Sequence, residues 1–166
     1  SINVSYIQIM KSDIISEIAA AIEEFEVNPA NVVIELTESG LLESDPRFTS
    51  LWGSLKSEGI RLALDDFGTG YSSLTYLKRI PIDQLKIDQG FVRDILISTN
   101  DAEITKMIIV LAKTLGISVL AEGVETEAQR DVLEKQGCYH YQGYLFGRPM
   151  PIDEFEQYFI LHRTPH

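Results

Sequence analysis

Asp65 and Asp66 are adjacent carboxylates at the end of an apolar run, in the stretch LALDDFGTGYSSL over 62–74. A loop with two glycines and two serines follows at once. Like charges side by side at a strand end repel unless they are solvated, cap a helix or hold a cation. Alone, the stretch reads equally well as a polar strand end with a helix cap. The tripeptide DFG also occurs in protein kinases, but neither an HRD motif nor a VAIK-like strand accompanies it, which excludes that class.

The same kind of residue recurs at the end of every other strand-like segment. Asn3 closes the first, Glu35 and Glu38 lie at the second, and Lys86 and Asp88 follow the fourth. Glu122 and Glu125 follow the fifth, and Gln142 lies on the sixth. In a barrel these ends converge on one face, which carries the chemistry. Asn3, Glu35, Asp65, Asp66 and Glu122 are hard oxygen donors, suited to Mg²⁺ or Mn²⁺ rather than to metals that favour thiolate. Adjacent Asp65 and Asp66 let one carboxylate bridge two ions while the other serves the second. The natural use of such a site is attack of metal-activated water on a phosphodiester. Histidine contributes little: His162 and His166 lie in the tail, and His140 reads as a packed strand residue.

Six strand–helix units must position these groups. Strand-like segments fall at 2–5, 32–36, 60–66, 83–88, 117–124 and 139–147. Helical patterns fall at 12–25, 45–59, 74–78, 102–115, 125–137 and 151–161, several with a proline at the start or a glycine at the end. Strands alternating with helices predict a parallel sheet with right-handed crossovers. A complete (β/α)8 barrel needs roughly 250 residues. Six units in 166 residues are therefore a barrel two units short, or an open doubly wound sheet. No G-x-G-x-x-G follows the first strand, which removes the dinucleotide-binding version.

Composition is that of a soluble globular domain, 45% hydrophobic and 23% charged. The formal net charge of −11 argues against DNA or RNA as partner. It leaves room for a small anionic ligand, because bound metal ions reverse the local sign. The single cysteine, Cys138, rules out an internal disulfide and fits a reducing, cytoplasmic compartment. It reads as a small, partly buried hydrophobe. No signal peptide is visible, and the most apolar window is broken by Lys113, Gly116 and Glu122.

NVS, ELTES, DDFGTGYSSL, LKID, AEGVE and QGYLFGRPMP, in this order and spacing, resemble the EAL family of cyclic di-GMP phosphodiesterases across the whole chain. The resemblance implies a TIM-type (β/α) barrel with one strand antiparallel, and opening of cyclic di-GMP to linear pGpG with Mg²⁺ or Mn²⁺. It implies that Asn3, Glu35 and Asp65 ligate a first metal, and that Asp65 bridges to a second with Asp66. Lys86 would hold the catalytic water or a phosphate oxygen, and Glu122 would be the general-base candidate. Glu38 would anchor the loop after Asp66, while Glu125 and Gln142 would support the site and ligand. The loop over 67–73 would couple the site to a homodimer interface, and an upstream sensory or GGDEF domain would regulate it.

The pattern departs from the family in one respect. No Glu-Ala-Leu segment occurs, so residues 1–166 are expected to be a partial EAL domain lacking the first two βα units. Such a chain would be a weak enzyme by itself. A non-catalytic module that binds cyclic di-GMP or a protein is the alternative, and the complete set from Asn3 to Glu122 speaks against it. A different metal barrel, of enolase or aldolase type, would leave six motifs unexplained.

Overall fold

The computed structural model describes residues 1–11, 13–38, 46–70, 77 and 80–162. Five strands form one sheet: β1 (Ile2–Asn3), β2 (Val33–Thr37), β3 (Arg61–Phe67), β4 (Gln84–Ile87) and β5 (Ser118–Ala121). Their spatial order is their chain order, and every neighbouring pair is parallel. A doubly wound sheet would reverse direction at a switch point. Unbroken sequential order is instead that of a barrel wall, which decides between the two architectures the unit count allows. No antiparallel pair occurs among the described strands.

Seven helices cover the sheet among the described residues: α1 (Tyr6–Lys11), α2 (Ile14–Glu24), α3 (Pro46–Ser57), α4 (Gln89–Asp94), α5 (Thr99–Leu115), α6 (Glu127–Gln136) and α7 (Ile152–His162). Side-chain caps start four of them, α1 (described below), α4, α5 and α6. Asp88 accepts from Gly90 N at 2.9 Å to open α4, and Ser98 accepts from Asp101 N at 3.2 Å to open α5. Thr126 and Gln129 form a reciprocal capping box on α6. Gly116 and Gly137 end α5 and α6 at φ +72° and +99°, where a side chain would be strained.

Ile34, Leu36, Leu62, Leu64, Leu85 and Ile87 from the strands join Trp52 and Leu55 of α3 and Ile108 and Ala112 of α5 in one buried cluster. Each fully buried aliphatic side chain contributes about 1.5–3 kcal/mol. Cys138 is fully buried within that cluster rather than partly so. Among the described residues, no helix is long and apolar enough to cross a membrane.

Three expectations need correction. The pattern at 12–25 folds as the single helix it predicts, α2, but a separate helix that the sequence reading lacked, α1, precedes it. The signal for α1 was the S-x-x-Q of Ser5 and Gln8, whose side chains bond each other and the backbone at the helix start. The sixth strand, expected over 139–147, is reduced to a single bridge between Tyr141 and Ala121. Beyond it the chain bonds β5 through Gln142 N to Ala121 O and the segment after β5 through Val124 N to Gln142 O and Leu145 N to Val124 O, then turns. Finally, the His140 side chain is exposed, with its carbonyl accepting from Ala121 N. The short helix expected at 74–78 lies, apart from residue 77, outside the described residues.

Close approach at Gly143 holds this last segment in place. A Cβ there would sit 2.2 Å from Val124 O and 2.3 Å from Val124 N. Backbone cannot yield as a flexible side chain can, so Gly143→Ala should cost about 3 kcal/mol or more. Urea unfolding checks this, and unchanged stability would mean that the segment docks loosely.

Candidate metal-dependent active site

Alternation along β4 sends Leu85 and Ile87, both fully buried, into the helix-side core and Lys86 to the other face. There the Lys86 ammonium lies 2.7 Å from Glu35 Oε2, 3.0 Å from Asp65 Oδ1 and 2.7 Å from Glu122 Oε1. Lys86 and Glu35 are buried; Asp65 and Glu122 are partly so. Strands β2, β3, β4 and the end of β5 thus each deliver one charged group to one place.

Strict alternation would point Asp65 and Asp66 to opposite faces. The structure avoids this with an irregularity. The pairing of β3 with β4 shifts register between Leu64 and Phe67, and Asp66 takes φ +54°. Aspartate tolerates this left-handed conformation better than most residues. The bulge re-aims the pair, and one oxygen from each of Asp65, Asp66 and Glu122 comes within 4.8 Å of the others. Asp66 N also donates to Asp65 Oδ1 at 3.1 Å.

The charges do not balance. Glu35, Asp65 and Glu122 carry three negative charges against the one positive charge of Lys86, which leaves two, before Asp66 is counted. Burial drives the Glu122 carboxyl above its ordinary pKa; Lys86 opposes this, and Asp65 and Glu35 add to it. Asp66 is raised by burial, then by the charges of Asp65 and Asp88. Burial works against the Lys86 ammonium, yet hydrogen bonds to Glu122, Glu35 and Asp65 outweigh it and raise its pKa. The donor set fits a hard divalent cation, since oxygen atoms converge and negative charge is left over.

A raised carboxylate pKa is a cost of ionisation in the fold. For Asp66 that cost is absent below its unfolded pKa and fully present above its folded one. Asp66→Asn keeps the shape and the left-handed backbone while removing the charge. In metal-free buffer with EDTA it should raise Tm by about 2 °C at pH 7, a small shift because solvent screens the site. The gain should vanish toward pH 3. A constant difference across that range would mean the charge is not what matters.

Glu38 plays a different part. It is buried, and its Oε2 accepts from Gly68 N at 2.9 Å and Gly70 N at 3.4 Å, so it holds the start of the glycine loop. A Cβ on Gly70 would meet Glu38 Oε1 at 2.8 Å, which is why a glycine lies there. Among the described residues, no side-chain hydrogen bond or ion pair joins the remaining candidates to this cluster. Asn3 pairs its backbone with Glu35 across the β1–β2 ladder, but its side chain is exposed. Glu125 and Gln142 are also exposed, and they hydrogen-bond through their backbone. Arg148 lies over the Tyr144 ring at 4.3 Å.

Asp88 is the neighbour that sequence reading passed over as a site residue. It caps α4, and its charge helps to raise the Asp66 carboxyl above its ordinary pKa. Its spacing of two from Lys86 was the available signal, because alternate residues share a strand face.

Comparison with known proteins follows the same lines. The family model described as EAL domain matches residues 1–149. The bifunctional diguanylate cyclase/cyclic di-GMP phosphodiesterase MucR of Pseudomonas aeruginosa is 38% identical over 93% of this chain and 22% of its own length. The chain spans about a fifth of the length of the curated relatives it matches. Among solved structures, the EAL domain of Mycobacterium smegmatis DcpA superposes with a TM-score of 0.90 at 36% identity, covering 98% of this chain and 73% of that one. The PaMucR phosphodiesterase in complex with c-di-GMP gives 0.87 at 38% identity, covering 92% and 62%. A manganese/cy-diGMP complex of Klebsiella pneumoniae BlrP1 gives 0.81 at 34% identity, covering 89% and 38%.

Proposed function

The chain belongs to the EAL domain family, whose fold is a TIM-like barrel, and we propose that it is a cyclic di-GMP phosphodiesterase domain that opens the cyclic dinucleotide to linear pGpG. The observation that carries this reading is the gathering of Asp65, Asp66 and Glu122 around Lys86 at one end of the parallel sheet. Three of the named neighbours support it: a relative named as a cyclic di-GMP phosphodiesterase, and two structures in complex with the dinucleotide.

Asp65 and Asp66 would hold Mg²⁺ or Mn²⁺ with Glu122 beside them, and Glu35 and Asn3 would be further oxygen donors from β2 and β1. Such ions, when bound, supply Lewis-acid stabilisation of the phosphoryl charge. Lys86 keeps its proton throughout, because hydrogen bonds to three carboxylates hold it charged. It therefore serves as a donor, orienting a water or phosphate oxygen rather than removing a proton. Glu122 Oε1, 2.7 Å from Lys86 Nζ, is the acceptor for the proton of the attacking water. Its raised pKa brings it nearer to the range in which a general base works best. Glu38 fixes the loop that starts at Gly68, and Glu125 and Gln142 support the ligand.

Hydrolysis should require Mg²⁺ or Mn²⁺ and stop in EDTA. Glu122→Gln should cut kcat by roughly 10²-fold while dinucleotide affinity, read by calorimetry, stays within about tenfold. Activity that survives EDTA would defeat the metal reading, and a parallel collapse of affinity would make Glu122 chiefly a ligand. The same reading places the domain in the cytoplasm as a homodimer, regulated by an upstream sensory or GGDEF domain. MucR, with its cyclase activity named beside the phosphodiesterase, supports such a pairing. Sedimentation velocity on the purified protein tests the dimer.

A further inference from the structure

Gln129 is a buried amide on α6 whose hydrogen-bonding groups are all engaged. Its Oε1 accepts from Glu125 N at 2.9 Å and Thr126 N at 3.0 Å. Its Nε2 donates to Val92 O at 3.2 Å and Arg93 O at 3.4 Å. Two of these partners end the loop that carries Glu122; the other two are carbonyls in the last turn of α4. The helix α4 is capped by Asp88, two residues after Lys86. One side chain therefore ties the segment after Glu122 to the segment after Lys86.

The near end of that loop is also fixed. Glu122 N donates to Ile87 O at 3.2 Å. Gly123, at φ +66°, passes so close to α4 that a Cβ would lie 2.7 Å from Gln89 Cβ. Between the two anchors the loop has little freedom, and Glu122 is at its start. A capping box needs only Thr126 and the acceptor oxygen of Gln129. The donor half of the amide, turned toward α4, is surplus to capping and calls for another purpose.

We propose that Gln129 is a positioning residue for Glu122: by binding loop 122–126 to α4 it keeps the Glu122 carboxylate against Lys86 and beside Asp65 and Asp66. The inference rests on the phosphodiesterase reading for its kinetic consequence but not for its geometric one. A glutamine that only stabilised the fold would change the folded fraction. A positioning glutamine changes what each folded molecule does.

The test compares Gln129→Met, which keeps length and removes all four bonds, with Gln136→Met. Gln136 lies at the other end of α6, and its Nε2 donates to Ala102 O at 3.1 Å, away from the site. Both proteins are assayed well below their unfolding temperatures. Gln129→Met should lower kcat for cyclic di-GMP about tenfold or more with KM within about threefold, and weaken Mn²⁺ binding in calorimetry about threefold or more. Gln136→Met should leave both within about twofold. Gln129→Glu retains the acceptor half and loses the donor half, so it applies the same thresholds if the methionine variant does not fold. The inference is overturned if the folded Gln129 variant keeps kcat and Mn²⁺ affinity within twofold, if Gln136→Met matches its losses, or if neither Gln129 variant folds. If the wild-type protein does not hydrolyse cyclic di-GMP, the phosphodiesterase reading fails and the Mn²⁺ comparison alone decides the role of Gln129. If it binds no Mn²⁺ either, both fail.

Discussion

Asp65→Asn should lower cyclic di-GMP hydrolysis by roughly 10³-fold or more, about 4 kcal/mol of transition-state stabilisation, in a protein that remains folded. Asp65 is the carboxylate common to both halves of the site: it meets Lys86 at 3.0 Å and also belongs to the converging trio with Asp66 and Glu122. The asparagine is nearly isosteric and can still accept from Asp66 N, so the bulge in β3 survives. What disappears is one negative charge where a divalent ion would be held. Lys86 keeps Glu35 and Glu122 as partners, which is why the fold should persist. Steady-state kinetics with Mn²⁺ titration measures both effects. Activity within tenfold of wild type, in a variant with normal Mn²⁺ affinity, would remove Asp65 from the metal site.

Lys86→Met should lose activity and also destabilise the metal-free protein by about 3 kcal/mol or more. Removing one partner of a buried ionic cluster leaves the others uncompensated. Here Glu35, Asp65 and Glu122 would face one another with no cation between them. Methionine fills a similar volume, so little of the loss should come from packing. Added Mn²⁺ should restore part of the stability, because an ion that binds the folded state shifts the unfolding equilibrium toward it. Urea unfolding with and without Mn²⁺ decides the matter. A variant as stable as wild type in EDTA would show that solvent already screens the three carboxylates.

The two variants separate roles that the sequence cannot. In the sequence, Lys86 and Asp65 stand out as site residues by their strand-end positions and by the resemblance of LKID and DDFG. The ammonium at the centre of three carboxylates is a product of folding, since Lys86 and Glu35 are 51 positions apart.

Much of this protein was legible in the chain itself. Alternating strand and helix patterns are set by local periodicity, so β2 through β5 and α5 through α7 fall close to where the sequence places them. Polar residues at successive strand ends converge because a parallel sheet aligns those ends, and that followed from topology without coordinates. Local pattern could not decide features that depend on neighbours. Strand 139–147 has suitable residues, yet pairing on one side only leaves a single bridge at Tyr141. Asp65 and Asp66 should point apart by simple alternation, and only the register shift against β4, with Asp66 in a left-handed conformation, turns both toward Glu122. Asp88 reads from the sequence only as a polar strand end, and Gln129 only as one residue of the helical pattern at 125–137. The Asp66 charge near the one, and the Val92 and Arg93 carbonyls that the other bonds, lie on elements far away in sequence, and packing alone brings them together.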